Sequence, residues 1–156
     1  MTAPQHFPDI NGSLPIVVRE VADSAEMEAV YLLRDDVFVQ EQQLTDDARD
    51  DPEDGHSIHL LAFVDDVPIG TGRVTLYGRE AQVAWVAVAI SHRRRGVGDA
   101  IMRALIERSR HEGATFMSLN AQAHAIPFYV RLGFESISGE FRMGGIAHRV
   151  MTRRLV

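Results

Sequence analysis

Residues 58–91, IHLLAFVDDVPIGTGRVTLYGREAQVAWVAVAIS, read as three consecutive strands and little else. β-Branched and aromatic residues fill three short runs, and the tetrapeptides DDVP and YGRE separate them as turns. Turns this short join antiparallel neighbours, so the segment predicts a meander. The third run, Val83 to Ile90, is apolar on both faces and belongs at the centre of a sheet. Whatever else the chain builds must pack on that sheet.

The flanking segments supply the cover. LPIVVREV, from Leu14, is a short strand. In DSAEMEAVYLLRDDVFVQEQ, residues Met27, Val30, Tyr31, Val37 and Phe38 fall on one helical face. Asp23 and Glu26 have capping-box spacing at its start. TDDARDDPEDGHS reads as a solvated acidic loop without the spacing of a calcium-binding loop. After Gly98 a second helix turns Ile101, Met102, Leu105 and Ile106 inward and Arg103, Glu107 and Arg110 outward, with Gly113 at its end. TFMSLNAQ is a buried strand, AHAIPFYVRLGF a short helix with Pro127 in its first turn, and HRVMTRRLV a last strand. The order β-α-β-β-β-α-β-α-β predicts an α/β (α+β) fold: a mixed, mostly antiparallel sheet with flanking helices. The 156 residues suit one domain over 15–156, with residues 1–14 as a flexible lead-in, and no repeat is evident.

Between the central strand and the second helix stands HRRRGVGD, residues 92–99. Glycine reaches positive φ and leaves room for a ligand. The first turn of a helix offers free N–H groups and the positive end of its dipole. Gly96, Gly98 and the forked donors of Arg93 and Arg95 therefore suit a phosphate or diphosphate. A tight turn with solvated arginines is the alternative. No Gly-Lys-Ser/Thr ending and no third glycine at dinucleotide spacing are present. The formal charge of −6 disfavours a nucleic-acid surface. The absence of cysteine excludes thiolate chemistry and cysteine metal sites and fits a cytoplasmic setting. No metal site is expected. No apolar run approaches a membrane span, and MTAPQHFPDINGSLP has no basic region followed by an apolar core, so no signal peptide is expected.

VAVAISHRRRGVGDAIMRALI resembles the acetyl-CoA-binding segment of the GCN5-related N-acetyltransferases, the GNAT family. LNAQAHAIPFYVRLGF is similar to the family's strand and Phe-Tyr-x-x-x-Gly-Phe helix, and LLRDDVFVQEQ with GGIAHRVM to an ElaA-like bacterial subgroup. The resemblance spans roughly residues 15–156 in the family's order. It implies an acyl-CoA N-acyltransferase fold in which two central strands splay, here Val83–Ile90 and Phe116–Ala121. Val86, Ala87 and Val88 would then pair with the pantetheine arm of acetyl-CoA. Arg93, Arg94, Arg95, Gly96, Val97, Gly98 and Asp99 would surround the diphosphate, with the Asp99 side chain pointing away. Asn120 would lie near the cofactor and Tyr129 near its sulfur. Ile90 stands where many relatives have proline.

The implied reaction is transfer of the acetyl group to an amine by direct attack in a ternary complex. An alkyl amine with a pKa near ~10.4 must lose a proton to attack. Glu41, His148 or water is the candidate base, with a solvated helix-end carboxylate and a structural histidine as the alternative readings of the two side chains. Tyr129 is the candidate acid toward the leaving sulfur, or else an aromatic packed beneath the cofactor. Trp85 either lines the acceptor side or fills core, and the second reading is preferred. The acceptor is a small-molecule or peptide amine, and the resemblance leaves a homodimer open. A non-catalytic acyl-CoA-binding sensor or subunit is the competing reading, and an unrelated nucleotide-binding protein the third.

Overall fold

The computed structural model describes residues 3–7 and 14–156. The strands are β1 (Gln5–Phe7), β2 (Ile16–Glu20), β3 (Ile58–Val64), β4 (Val67–Tyr77), β5 (Glu80–Val88), β6 (Phe116–Gln122), β7 (Glu135–Ser136), β8 (Phe141–Met143) and β9 (Ile146–Arg154). The helices are α1 (Ser24–Arg34), α2 (Val97–His111) and α3 (Ile126–Arg131). One sheet runs β1-β2-β3-β4-β5-β6-β9-β7, with β8 on β9. β3, β4 and β5 form the expected meander, and β5 is central. Every pairing is antiparallel except β5 with β6.

The helices cover opposite faces. Ile101, Met102 and Leu105 of α2 are fully buried in one cluster with Ile16, Val18, Leu60 and Val74. Gly72 lets α2 come this close, since a Cβ there would stand 2.7 Å from Ile101 Cγ2. Val30 and Leu33 of α1 pack with Leu61 and Phe63 in a second cluster. The Asp23 side chain caps α1 by accepting the Glu26 N–H at 2.9 Å. Glu26 returns to the Ala22 N–H at 2.8 Å and chelates Arg19, so the capping box is shifted by one residue on its return arm.

Several features depart from the sequence reading. Gln5–Phe7 of the supposed lead-in pairs with β2 as an edge strand. The first helix does not continue regularly: Asp35–Glu41 widens into π-helical turns, which bring Val37 and Phe38 onto Ala87. The acidic loop is not simply solvated. Arg34 is fully buried on the inner side of α1, and Arg73 of β4 is 7% exposed. Asp54 chelates Arg34 at 2.8 and 3.2 Å and takes Arg73 at 3.0 Å. Asp51 takes Arg73 at 2.7 Å. The loop supplies the counter-charge of two buried arginines.

His59 sits in this network. Its Nδ1 accepts from Arg34 at 3.4 Å, so Nε2 carries the proton and donates to the Asp54 carbonyl at 2.9 Å. Burial foremost, then the charges of Arg34 and Arg73, lowers its pKa from 6.5. The unfolded chain therefore binds a proton below about pH 6.5 that the folded chain refuses, and stability falls as pH drops through that window. Melting temperatures measured from pH 7.5 to 5 should decline, and His59→Gln, which keeps a donor and an acceptor, should flatten the slope. An equal slope in both proteins would exclude His59 as its source.

Candidate active site

β5 and β6 run together only where Glu80–Val83 lies beside Phe116–Leu119. Beyond that point β5 stays with β4 as far as Val88, while β6 stays with β9 as far as Gln122. The two central strands therefore open into a V, the expected splay. Val86, Ala87 and Val88 form one lip, and Asn120, exposed, stands on the other. Their ladder groups facing the gap have no strand partner and, apart from the Val88 carbonyl that Arg93 takes, can pair with an extended ligand. The register shifts by one residue between Thr71↔Ala87 and Arg73↔Ala84, which places a bulge in β5 at the mouth of the V. Trp85 lies in that bulge with φ +56°.

The arginine-glycine turn follows directly. Gly96 is left-handed at φ +85° and caps α2 without any side-chain hydrogen bond. Glycine at the cap brings no side-chain acceptor of its own to the first-turn N–H groups, an arrangement that suits an anion. Two expectations need correction. Gly98 is helical rather than left-handed; the other left-handed residue is Arg94, at φ +61°. A Cβ on Gly98 would meet the Phe128 ring at 3.5 Å and Val88 Cγ2 at 4.0 Å, both ordinary contacts, so internal packing does not demand glycine there. Val97 buries its side chain in the core, so only its amide can serve a ligand. Asp99 is held by Arg103 at 2.7 Å on the exposed side of α2, as its charge requires.

Arg93 and Glu41, read separately as a phosphate contact and a base, bind one another. Arg93 donates through both terminal nitrogens to Glu41 at 2.5 Å and through Nε to the Val88 carbonyl at 3.0 Å. These hydrogen bonds hold the Glu41 carboxyl below its ordinary range, the weaker opposing effect being burial. Gln122 donates to Gln42 at 2.7 Å, a second tie between the end of the π-helical segment and the β6 lip. His148 is buried opposite Gln122 on β9, stacked on Phe141 at 5.8 Å. Its Nδ1 donates to the Ile146 carbonyl at 2.7 Å, so in that tautomer Nε2 is the acceptor nitrogen. Tyr129 of α3 meets Phe128 and Phe134 edge-on at 5.0 and 5.8 Å, and burial pushes its phenol up to about 12.

Sequence reasoning missed Gln42 and Gln122, whose polarity alone marks no partner, and the bulge at Trp85, which the apolar run hides. Among the described residues no group of three acidic or histidine side chains could hold a metal ion. None of the helices there is long and apolar enough to cross a membrane.

Comparison with known proteins agrees with this geometry. The pattern of the acetyltransferase (GNAT) family matches residues 26–134. The uncharacterised N-acetyltransferase YjcF of Bacillus subtilis is 33% identical over 129 residues, covering 82% of this chain and 92% of its own. The crystal structure of Escherichia coli ElaA superposes with a TM-score of 0.79 at 25% identity, over 88% of this chain and 99% of that one. An acyl-CoA N-acyltransferase from Pseudomonas aeruginosa gives 0.75 at 28%, over 90% and 99%.

Proposed function

This chain belongs to the GNAT acetyltransferase family, and we propose that it moves the acetyl group of acetyl-CoA onto an amine bound at the β5–β6 split, by direct attack in a ternary complex. The observation that carries the reading is a single continuous run: an unpaired strand edge leads within ten residues to a left-handed turn and a helix start with no side-chain cap. An extended amide-rich arm suits the first, and a diphosphate suits the second.

In this reading the β5 edge from Val86 to Val88 holds the pantetheine arm, and one of its N–H groups faces the carbonyl oxygen as negative charge develops there. The first-turn amides of α2, with Arg94 and Arg95, hold the diphosphate. The acceptor nitrogen forms its bond to the carbonyl carbon as the carbon–sulfur bond breaks and the electron pair leaves on sulfur. Glu41 is committed to Arg93, so we assign the departing ammonium proton to His148 Nε2, directly or through water. Tyr129 lies about 3.5 pKa units above a thiol of pKa ~8.5, since its own phenol is pushed to about 12. Complete transfer of its proton to the thiolate is thus uphill. Tyr129 therefore supports the leaving sulfur as a hydrogen-bond donor and stays a phenol throughout the assay range.

Thiol release from acetyl-CoA with a panel of small amines and peptides tests the reading. The chain contains no lysine, so side-chain self-acetylation adds no background to the peptide arm. Tyr129→Phe should lower kcat about tenfold and leave the KM for acetyl-CoA within about threefold, the signature of a contact that matters in the transition state. Unchanged kcat would remove Tyr129 from the chemistry. Tight acetyl-CoA binding with no thiol release across the panel would favour the acyl-CoA-binding sensor instead.

A further inference from the structure

We propose that Asp51 is a positioning residue for the transfer site, acting through the Trp85 indole to fix the bulge of β5; the role rests on the transferase reading, the clamp itself does not. Trp85 is a bulky aromatic residue in left-handed backbone, φ +56°. Such a conformation is strained for a bulky residue and persists only where the surroundings hold it. Three groups do so. The indole Nε1 donates to Asp51 Oδ2 at 2.8 Å. The Arg34 guanidinium lies 5.1 Å from the ring centroid, and the Phe38 ring meets it at 5.2 Å and 73°. The first is directional, and the other two are packing.

Asp51 is itself firmly placed. The same Oδ2 takes Arg73 at 2.7 Å, and Oδ1 takes the Glu53 N–H at 2.9 Å. Arg73 stands on β4 directly beside Ala84, the last β5 residue in register before the bulge. The carboxylate thus reads its position from β4 and transmits it to the residue one step further along β5. Burial alone would raise the Asp51 pKa; the hydrogen bonds from Trp85, Glu53 and Arg73 outweigh it and keep the group ionised.

The consequence lies one residue downstream. A bulge rotates the strand that follows it. Here the strand that follows is Val86 to Val88, whose free edge faces the split. Donors at a reacting carbonyl must be held to within about half an ångström and 10–20°. The loop that sequence composition presents as solvated acid therefore sets the aim of the backbone on which the transfer depends.

Three variants separate a positioning role from a purely structural one. Asp51→Asn keeps an acceptor for the indole, Asp51→Ala removes it, and Trp85→Phe keeps a ring without the N–H. Trp85 is the only tryptophan, so its emission and acrylamide quenching report the clamp without any turnover. Asp51→Ala should shift the emission to the red and raise quenching at least twofold, while Asp51→Asn stays near the parent. Amide exchange in 84–88 should rise in Asp51→Ala and Trp85→Phe but not in Asp51→Asn. In turnover, Asp51→Ala and Trp85→Phe should lose about fivefold in kcat with acetyl-CoA affinity by calorimetry within about threefold, and Asp51→Asn should recover most of it. Unaltered tryptophan emission and exchange in Asp51→Ala would overturn the clamp. Altered emission with unaltered kcat would overturn the positioning role. Should Asp51→Ala fail to fold, Trp85→Phe carries the same exchange and kcat comparison. A parent protein that binds no acetyl-CoA would sink the transferase reading alone, since fluorescence and exchange still decide the clamp.

Discussion

Replacing Asp54 by alanine is expected to lower the melting temperature by about 10 °C. The side chain is nearly buried and stands between the side chain of Arg34, which has no exposed surface, and that of Arg73, which is also buried. The Nε atoms of both arginines lack a hydrogen-bond partner among the described residues, so the carboxylates carry most of their compensation. Removing one partner of a buried ion pair leaves an uncompensated charge and costs roughly 3–5 kcal/mol. For a domain of this size each kcal/mol shifts the midpoint by about 2–4 °C. Arg73 keeps Asp51, whereas Arg34 keeps, as hydrogen-bond acceptors among the described residues, the uncharged Ala48 carbonyl and His59 ring nitrogen, so the damage falls mainly on Arg34. The double variant Arg34→Met with Asp54→Leu should recover part of the loss, because an apolar pair of similar volume avoids desolvating two charges. Circular-dichroism melts of the three proteins decide the point. A single-variant shift below about 3 °C would show the pair to be solvated and weak.

The same residues show where the amino-acid sequence stops being legible. The meander, the central place of β5 and the two faces of α2 follow from apolar periodicity, which is a local property of the chain. Arg34 is buried beside Val30, Leu33, Val37 and Phe38, and apolar periodicity does not single out a charged residue as part of that face. Its partner is 20 residues away, in a loop whose composition is that of a solvated segment. Arg93 and Glu41 are 52 residues apart, and each taken alone suggested a different role. Pairings of this kind depend on how elements meet and leave no local trace. β1, β7 and β8 are three, two and three residues long, too short for alternation to register. The left-handed turn before α2 was readable because glycine spacing and a helix start are local. The bulge at Trp85 was not, since an extra residue inside an apolar run alters no pattern that periodicity can detect.

Replacing Gly96 by aspartate should weaken acetyl-CoA binding by roughly 30- to 100-fold, whereas asparagine at the same position should cost only a few-fold. Gly96 is left-handed at φ +85°, and asparagine and aspartate are the side chains that best tolerate that region. The two variants therefore share backbone strain and nearly the same shape and differ by one negative charge. In the proposed complex that charge stands at the mouth of the anion site formed by the uncapped start of α2. A carboxylate about 5 Å from a diphosphate of charge near −2, at an effective dielectric between about 40 and 80, is repelled by roughly 2–3 kcal/mol. Screening should narrow the gap between the variants as salt rises from about 0.05 to 0.5 M, where the Debye length falls to a few ångströms. Calorimetry with acetyl-CoA at both salt concentrations, beside thermal melts that confirm equal folding, measures the difference directly. Equal affinity of the aspartate and asparagine variants at low salt would mean that the diphosphate does not sit at this turn, and the placement of the whole cofactor along β5 would have to be abandoned with it.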